Sequence, residues 1–163
     1  EFALREGIRV ILDTHHEPLR LAVEVGVFLL KPNLRELRQL TDRDLEREVD
    51  QDRALQRIIA RGGAQTIVLS LGAAGAVFAD RGGIVRLRAP TVKIRSKVGA
   101  GDSMVGGIVC ALAQEYELKE AARFGVAAGA AAVKTPGSEL CRREDVVQLY
   151  EQILEQGSTT ALA

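Results

Sequence analysis

Three short apolar runs, IRVILD (8–13), VFLLKP (27–32) and QTIVLSLG (65–72), are separated by segments of helical length. Uninterrupted runs rich in Val, Ile and Leu are typical of strands buried on both faces, as in a parallel sheet. Parallel neighbours need a crossover of about a dozen residues or more between them. The intervening segments supply it: EPLRLAVEVG (17–26) with Pro18 in its first turn, NLRELRQLT (33–41), and LEREVDQDRALQRIIARGG (45–63), closed by two glycines. The alternation predicts an α/β class with a mainly parallel sheet. GAVFAD and GIVRLRAP around RGG add an antiparallel hairpin. Three more helices are predicted at 103–116, 118–135 and 143–156, and the small residues of GVAAGAAAV suit very close packing against a neighbour. EFALREG reads as the end of a helix closed by Gly7. With no initiator Met before it, the expectation is a fragment whose N-terminal part is missing. GSTTALA (157–163) reads as a disordered tail.

Composition narrows the function classes. The 163 residues, 47% of them apolar, suffice for one domain with a core. With 22 basic and 22 acidic residues, nothing electrostatic points to nucleic acid or to an anionic membrane. Trp is absent and aromatics are scarce, which argues against stacking platforms for bases or sugars. Cys110 and Cys141 stand alone, which fits a reducing, cytoplasmic setting. No apolar run reaches membrane-spanning length and no signal-peptide pattern opens the chain.

The chemistry-bearing stretch is KVGAGDSMVGG (97–107). A dinucleotide fingerprint is disfavoured, because Met104 stands at its third glycine position and the stretch lies late in the chain. No Gly-Lys-Ser/Thr follows, so it is not a P-loop. Two readings remain open from the residues alone. Asp102 caps the following helix, or the small residues form a phosphate cradle with a base at its rim. In the second reading, successive N–H groups at a helix N-terminus favour negative charge. Asp102 then accepts a proton from an attacking hydroxyl.

VGAGDSMVGG resembles the C-terminal signature of the PfkB, or ribokinase-like, family of carbohydrate kinases. KPNLREL (31–37) resembles that family's N-x-x-E motif. VLSLGAAGAVFAD (68–80) resembles its nucleotide-binding strand and turn, and RFGVAAGAAAVKTPGSELC (123–141) its adenine-side helix and loop. The nearest branch is that of 6-phosphofructokinases of the minor type, 1-phosphofructokinases and tagatose-6-phosphate kinases. The resemblance implies a ribokinase-like three-layer α/β/α fold, with residues 1–156 forming its C-terminal nucleotide-binding part.

It also implies roles. Asp102 matches the catalytic base, and Gly99, Ala100 and Gly101 the anion hole. Asn33 and Glu36 match the motif that organises Mg²⁺ and phosphates, partly through water; alone, they are equally a helix cap and its capping-box partner. Ser70, Gly72 and Gly75 match the turn bordering the nucleotide, and Val126 and Ala130 the positions near adenine, although both groups also suit a plain turn and plain core. Ser96, Val98, Ala132, Thr135 and Gly137 occupy the positions of a monovalent-cation (K⁺) site, with Thr135 and Glu139 departing from the nearest relative's pattern. The implied reaction is ATP- and Mg²⁺-dependent phosphorylation of a sugar phosphate: fructose 6-phosphate first, then tagatose 6-phosphate or fructose 1-phosphate. The rival is a non-catalytic nucleotide-binding or regulatory module. The sugar-binding Gly-Gly motif and lid of the family have no counterpart here, so the chain alone is expected to be inactive and the longer protein a homo-oligomer. The adjacent His15 and His16 point apart on most backbones and lack a third ligand, and the Arg/Glu run of 43–53 reads as a solvated helix face.

Overall fold

The computed structural model describes residues 2–137 and 139–159. The chain divides into two compact units. One holds Val77–Arg86 and the chain up to Leu71; the other holds Gly72–Ala76 and the chain from Leu87 onward.

The first unit is built on a sheet in the order β1-β2-β3-β4-β5. Helix α1 (Phe2–Arg5) ends at Gly7, which takes the left-handed conformation (φ +67), while Ile8 N–H returns to the Ala3 carbonyl at 2.8 Å. That closure is the one expected of a terminal glycine. Then follow β1 (Ile11–Leu12), α2 (His16–Val25) and β2 (Val27–Leu30). α3 (Leu34–Thr41), α4 (Glu48–Ala60) and β3 (Ala64–Ser70) complete the parallel part. β1 pairs with β2 (Ile11 opposite Leu29) and β2 with β3 (Leu29 opposite Thr66), both parallel. β1 is shorter than the expected 8–13 because it lies at the sheet edge; bonds from Leu29 N to Val10 O and from Lys31 N to Leu12 O mark the length over which it meets β2.

β4 (Ala76–Asp80) and β5 (Gly83–Leu87) follow connections too short for a crossover, so they form the antiparallel piece that the sequence predicts. The Asp80 carboxylate accepts from the N–H groups of Gly82 and Gly83, which tightens the hairpin turn. Leu30, Leu37, Leu55, Ile67 and Leu69 are fully buried in one core cluster, and Leu29 is fully buried as well.

The second unit is helical: α5 (Ala100–Ala113), α6 (Leu118–Ala132) and α7 (Arg143–Thr159). Small residues let α5 and α6 approach closely. A Cβ added at Gly107 would lie 2.7 Å from Ala128 Cβ, and one at Gly125 would lie 2.5 Å from Ile108 Cγ1. Tyr150 packs edge-on to Phe124, with ring centroids 5.3 Å apart, and donates to Glu120 Oε2 at 3.2 Å. Burial first, and then the Glu120 charge, pushes the Tyr150 hydroxyl up to about 12.

Several helix boundaries differ from expectation: α4 covers 48–60 rather than 45–63, and α6 ends at Ala132 rather than at 135. α5 begins at Ala100, not Ser103, so the glycines belong to its first turn. α7 runs through Gly157 to Thr159, past the expected end at 156, and the rest of the expected tail lies outside the described residues. Among the described residues, no helix is long and apolar enough to cross a membrane.

Candidate active site

The N-terminus of α5 bears on the capping reading of Asp102. Gly99 is the N-cap residue, left-handed (φ +77, ψ 0), and no side chain caps the helix. The first helical bond runs from Ser103 N to Gly99 O at 2.8 Å. The N–H groups of Ala100, Gly101 and Asp102 therefore have no intrahelical acceptor. Asp102 does not cap. It is exposed in the first turn and, among the described residues, its carboxylate makes no hydrogen bond. An αL N-cap suits glycine, and a Cβ built at Gly99 meets nothing within 4 Å, so its neighbourhood is open on that side. Three backbone donors without an intrahelical acceptor and an exposed carboxylate thus share one turn, groups of the right kind to hold a phosphate and to accept a proton. α6 supports this turn from behind: a Cβ at Gly129 would stand 3.1 Å from the Ala100 carbonyl oxygen.

In the first unit a polar group gathers where β2 and β3 end. Asn33 Oδ1 accepts from Glu36 N at 2.9 Å, and Glu36 Oε2 accepts from Asn33 N at 2.8 Å. The capping-box reading thus holds, and it occupies one oxygen of each side chain. Asn33 also bridges in parallel to Ser70, whose N–H and hydroxyl both donate to the Pro32 carbonyl. Asn33, Glu36 and Ser70 are therefore brought together at the carboxyl ends of the strands, the usual ligand edge of an open α/β sheet.

Lys31, absent from the sequence reading, joins this group. It is 4% exposed and pairs with Asp13 at 3.2 Å. The only hint in the sequence is its place at the end of an apolar run. Asp13 and Lys31 follow adjacent parallel strands, so both charges stand at the same sheet edge. His15 and His16 pack edge-on, and among the described residues no group of three or more His, Cys, Asp or Glu could hold a metal.

In the second unit, Gly72 opens a 3-10 turn (Gly72–Ala74) and its carbonyl accepts from Gly75 N at 3.0 Å. Gly75 needs to be glycine: φ is +99, and a Cβ there would lie 2.0 Å from the Leu87 carbonyl oxygen. Val126 is 1% exposed and Ala130 8%, so both lie in the packed face of α6. Of the five expected cation residues, Ser96 accepts at its hydroxyl from Val98 N, and its N–H reaches the Val133 carbonyl. The Thr135 hydroxyl lies 2.8 Å from the Ala132 carbonyl oxygen and 2.9 Å from that of Glu139. Gly137 turns the following loop with φ +62. These hydroxyl and carbonyl oxygens suit a hard cation in kind.

The mainly parallel sheet flanked by helices is an α/β fold of the ribokinase-like type, and comparison with known proteins gives the family. Residues 5–145 match the pfkB family carbohydrate kinase model. The chain belongs to that family. It is 42% identical to the ATP-dependent 6-phosphofructokinase isozyme 2 of Escherichia coli (strain K12), over 91% of this chain and 48% of that protein. It is 34% identical to the 1-phosphofructokinase of Borreliella burgdorferi, over 93% of this chain and 48% of that protein. Among solved structures, phosphofructokinase-2 from Escherichia coli in complex with potassium superposes with a TM-score of 0.89 at 41% identity, over 93% of this chain and 50% of that one. Ribokinase of Arabidopsis thaliana, complexed with ribose and ATP, shares the fold at a TM-score of 0.78 and 24% identity, over 90% of this chain and 49% of that one. The chain spans about half the length of the curated relatives it matches.

Proposed function

We propose that this chain supplies the nucleotide side and the proton-accepting base of an ATP-dependent sugar-phosphate kinase, with fructose 6-phosphate as first acceptor and tagatose 6-phosphate or fructose 1-phosphate next. The observation that carries it is the N-terminus of α5, where unpaired backbone donors and an exposed Asp102 share one helical turn.

The donors of Ala100, Gly101 and Asp102 hold the equatorial oxygens of the transferring phosphoryl group, where charge must be stabilised. Asp102 takes the proton of the acceptor hydroxyl as its oxygen bonds to the γ-phosphorus, and the bond from that phosphorus to the ADP oxygen breaks. Ser70, Gly72 and Gly75 border the nucleotide, with Val126 and Ala130 near its base. Lys31 offers its ammonium to a phosphate at the strand edge. The residues fit Mg²⁺ only loosely: one oxygen of Glu36 and the Asn33 amide are left after capping, which suits a hydrated ion bound through few protein groups. Such an ion would neutralise charge on the phosphates. Ser96, Val98, Ala132, Thr135 and Gly137 would hold K⁺ beside the anion hole. The longer protein is a cytoplasmic homo-oligomer in this reading; a tetrameric form is known for phosphofructokinase-2 from Escherichia coli.

The test is a coupled ADP-release assay on the full-length reading frame with the three sugar phosphates in turn. Asp102→Asn should keep ATP affinity and lose turnover by about 10²–10⁴-fold. Turnover within a factor of about two of the parent would remove Asp102 from the chemistry. The 163-residue chain alone should bind ATP–Mg²⁺ and show no sugar-dependent turnover, because phosphoryl transfer is mostly positioning.

A further inference from the structure

A cavity of about 650 Å³ opens in the first unit beside α2, the end of α3 and α4, and shares no residue with the candidate active site. Its size is that of a small-molecule pocket. Five arginines line it: Arg20, Arg43, Arg53, Arg57 and Arg61. Three of them, Arg53, Arg57 and Arg61, stand four residues apart along one face of α4 and its C-cap. Like charges at this spacing repel each other.

The carboxylates nearby are too few to pair with all five arginines. Asp50 is held by Arg47 through two bonds of 2.7 and 3.1 Å, and approaches Arg53 only to 4.0 Å. Asp44 pairs with Arg38 at 3.6 Å. Glu17 takes Arg20 at 3.1 Å. Among the described residues, Arg43, Arg57 and Arg61 have no side-chain hydrogen bond or salt-bridge contact, although Arg43 lies close enough to Asp50, and Glu24 to Arg20, to act through charge. Below the guanidiniums the wall is apolar, from Val23, Leu40, Ala54 and Ile58.

We propose that this cleft binds a small phosphate-bearing anion at a second site. Guanidinium forks match phosphate oxygens in pairs, and two or three converging on one ligand give both affinity and orientation. The apolar wall would receive the uncharged body of a phosphate ester. α4 leads into β3 and α2 into β2, so Arg61 stands at the amino ends of these strands. Asn33 and Ser70 stand at their carboxyl ends, so occupancy here does not compete with the candidate active site.

Isothermal titration calorimetry of the purified chain with inorganic pyrophosphate at low ionic strength tests this. The variants are R57Q/R61Q at the cleft and Lys31→Met at the strand edge. Removing two forks should weaken one binding event about tenfold or more. Lys31→Met should leave that event unchanged, and thermal melts should show both variants folded. An isotherm unaltered in R57Q/R61Q, or no binding by the parent chain, would overturn the proposal. So would binding lost in Lys31→Met alone, which would place the pyrophosphate at the candidate active site.

Discussion

A buried ammonium needs a counter-charge, and Lys31 finds it in Asp13 at 3.2 Å, with Lys31 almost fully enclosed and Asp13 partly open to solvent. The two residues should respond unequally to mutation. Asp13→Asn strands the lysine charge and should lower stability by about 2 kcal/mol, less than for a fully enclosed pair because solvent reaches the carboxylate side. Lys31→Met keeps the volume, removes the charge and should be nearly neutral to stability. In the full-length protein it should nevertheless weaken ATP binding. Thermal melts and nucleotide titrations on both variants give the comparison, and equal melts with equal affinities would leave the pair without either role. Asp102 was legible in the sequence because its neighbours in the chain are its neighbours in space. Lys31 was not, because nothing local distinguishes a lysine that a strand carries inward from one on the surface.

At the scale of elements, the cap of α3 in one unit and the crossing of α5 with α6 in the other hold the candidate residues. Asn33 does two jobs in the proposed reading, and substitutions can separate them. Asn33→Ser keeps a capping oxygen and should hold the melting temperature, whereas Asn33→Ala should cost about 1 kcal/mol. If the Asn33 amide also serves phosphate or Mg²⁺, both variants should lose nucleotide affinity; loss in Asn33→Ala only would leave it a cap.

The α5–α6 crossing allows a second separation. A Cβ at Gly125 meets Ile108 Cγ1 at 2.5 Å and the Met104 carbonyl oxygen at 2.8 Å, so Gly125→Ala should destabilise by about 1–3 kcal/mol. At Gly129 the nearest atom is the Ala100 carbonyl oxygen at 3.1 Å, in the first turn of α5. Gly129→Ala should therefore melt closer to the parent and still impair turnover by displacing the cradle; the opposite order in melts and rates would refute this. Strand and helix types were legible from periodicity, and so was the capping box. Helix starts were less so: α5 reaches back to Ala100 because a left-handed Gly99 can cap without a side chain, which the usual Asp or Ser signal does not register.

At the scale of the molecule, the alternation of strands and helices was enough to read an α/β class, because each parallel pair demands a crossover. The arginine cleft was not readable: the 43–53 charge run is largely exposed, as its sequence suggests, and only the fold sets Arg20 and Leu40 beside it. The sheet order also leaves β1 at an edge, with one side of its backbone unpaired by any described strand. In the same unit, Leu21 and Val25, four residues apart on one face of α2, are 50% and 46% exposed. An open strand edge together with exposed apolar side chains favours association. The 163-residue chain should accordingly self-associate, and its sedimentation coefficient should rise with concentration. L21E/V25E introduces like charge on that face and should shift the distribution toward monomer without changing the melt, since neither side chain belongs to the buried core. A chain that sediments as a monomer at every concentration, or a variant that associates as strongly as its parent, would show that this face is not what joins the copies.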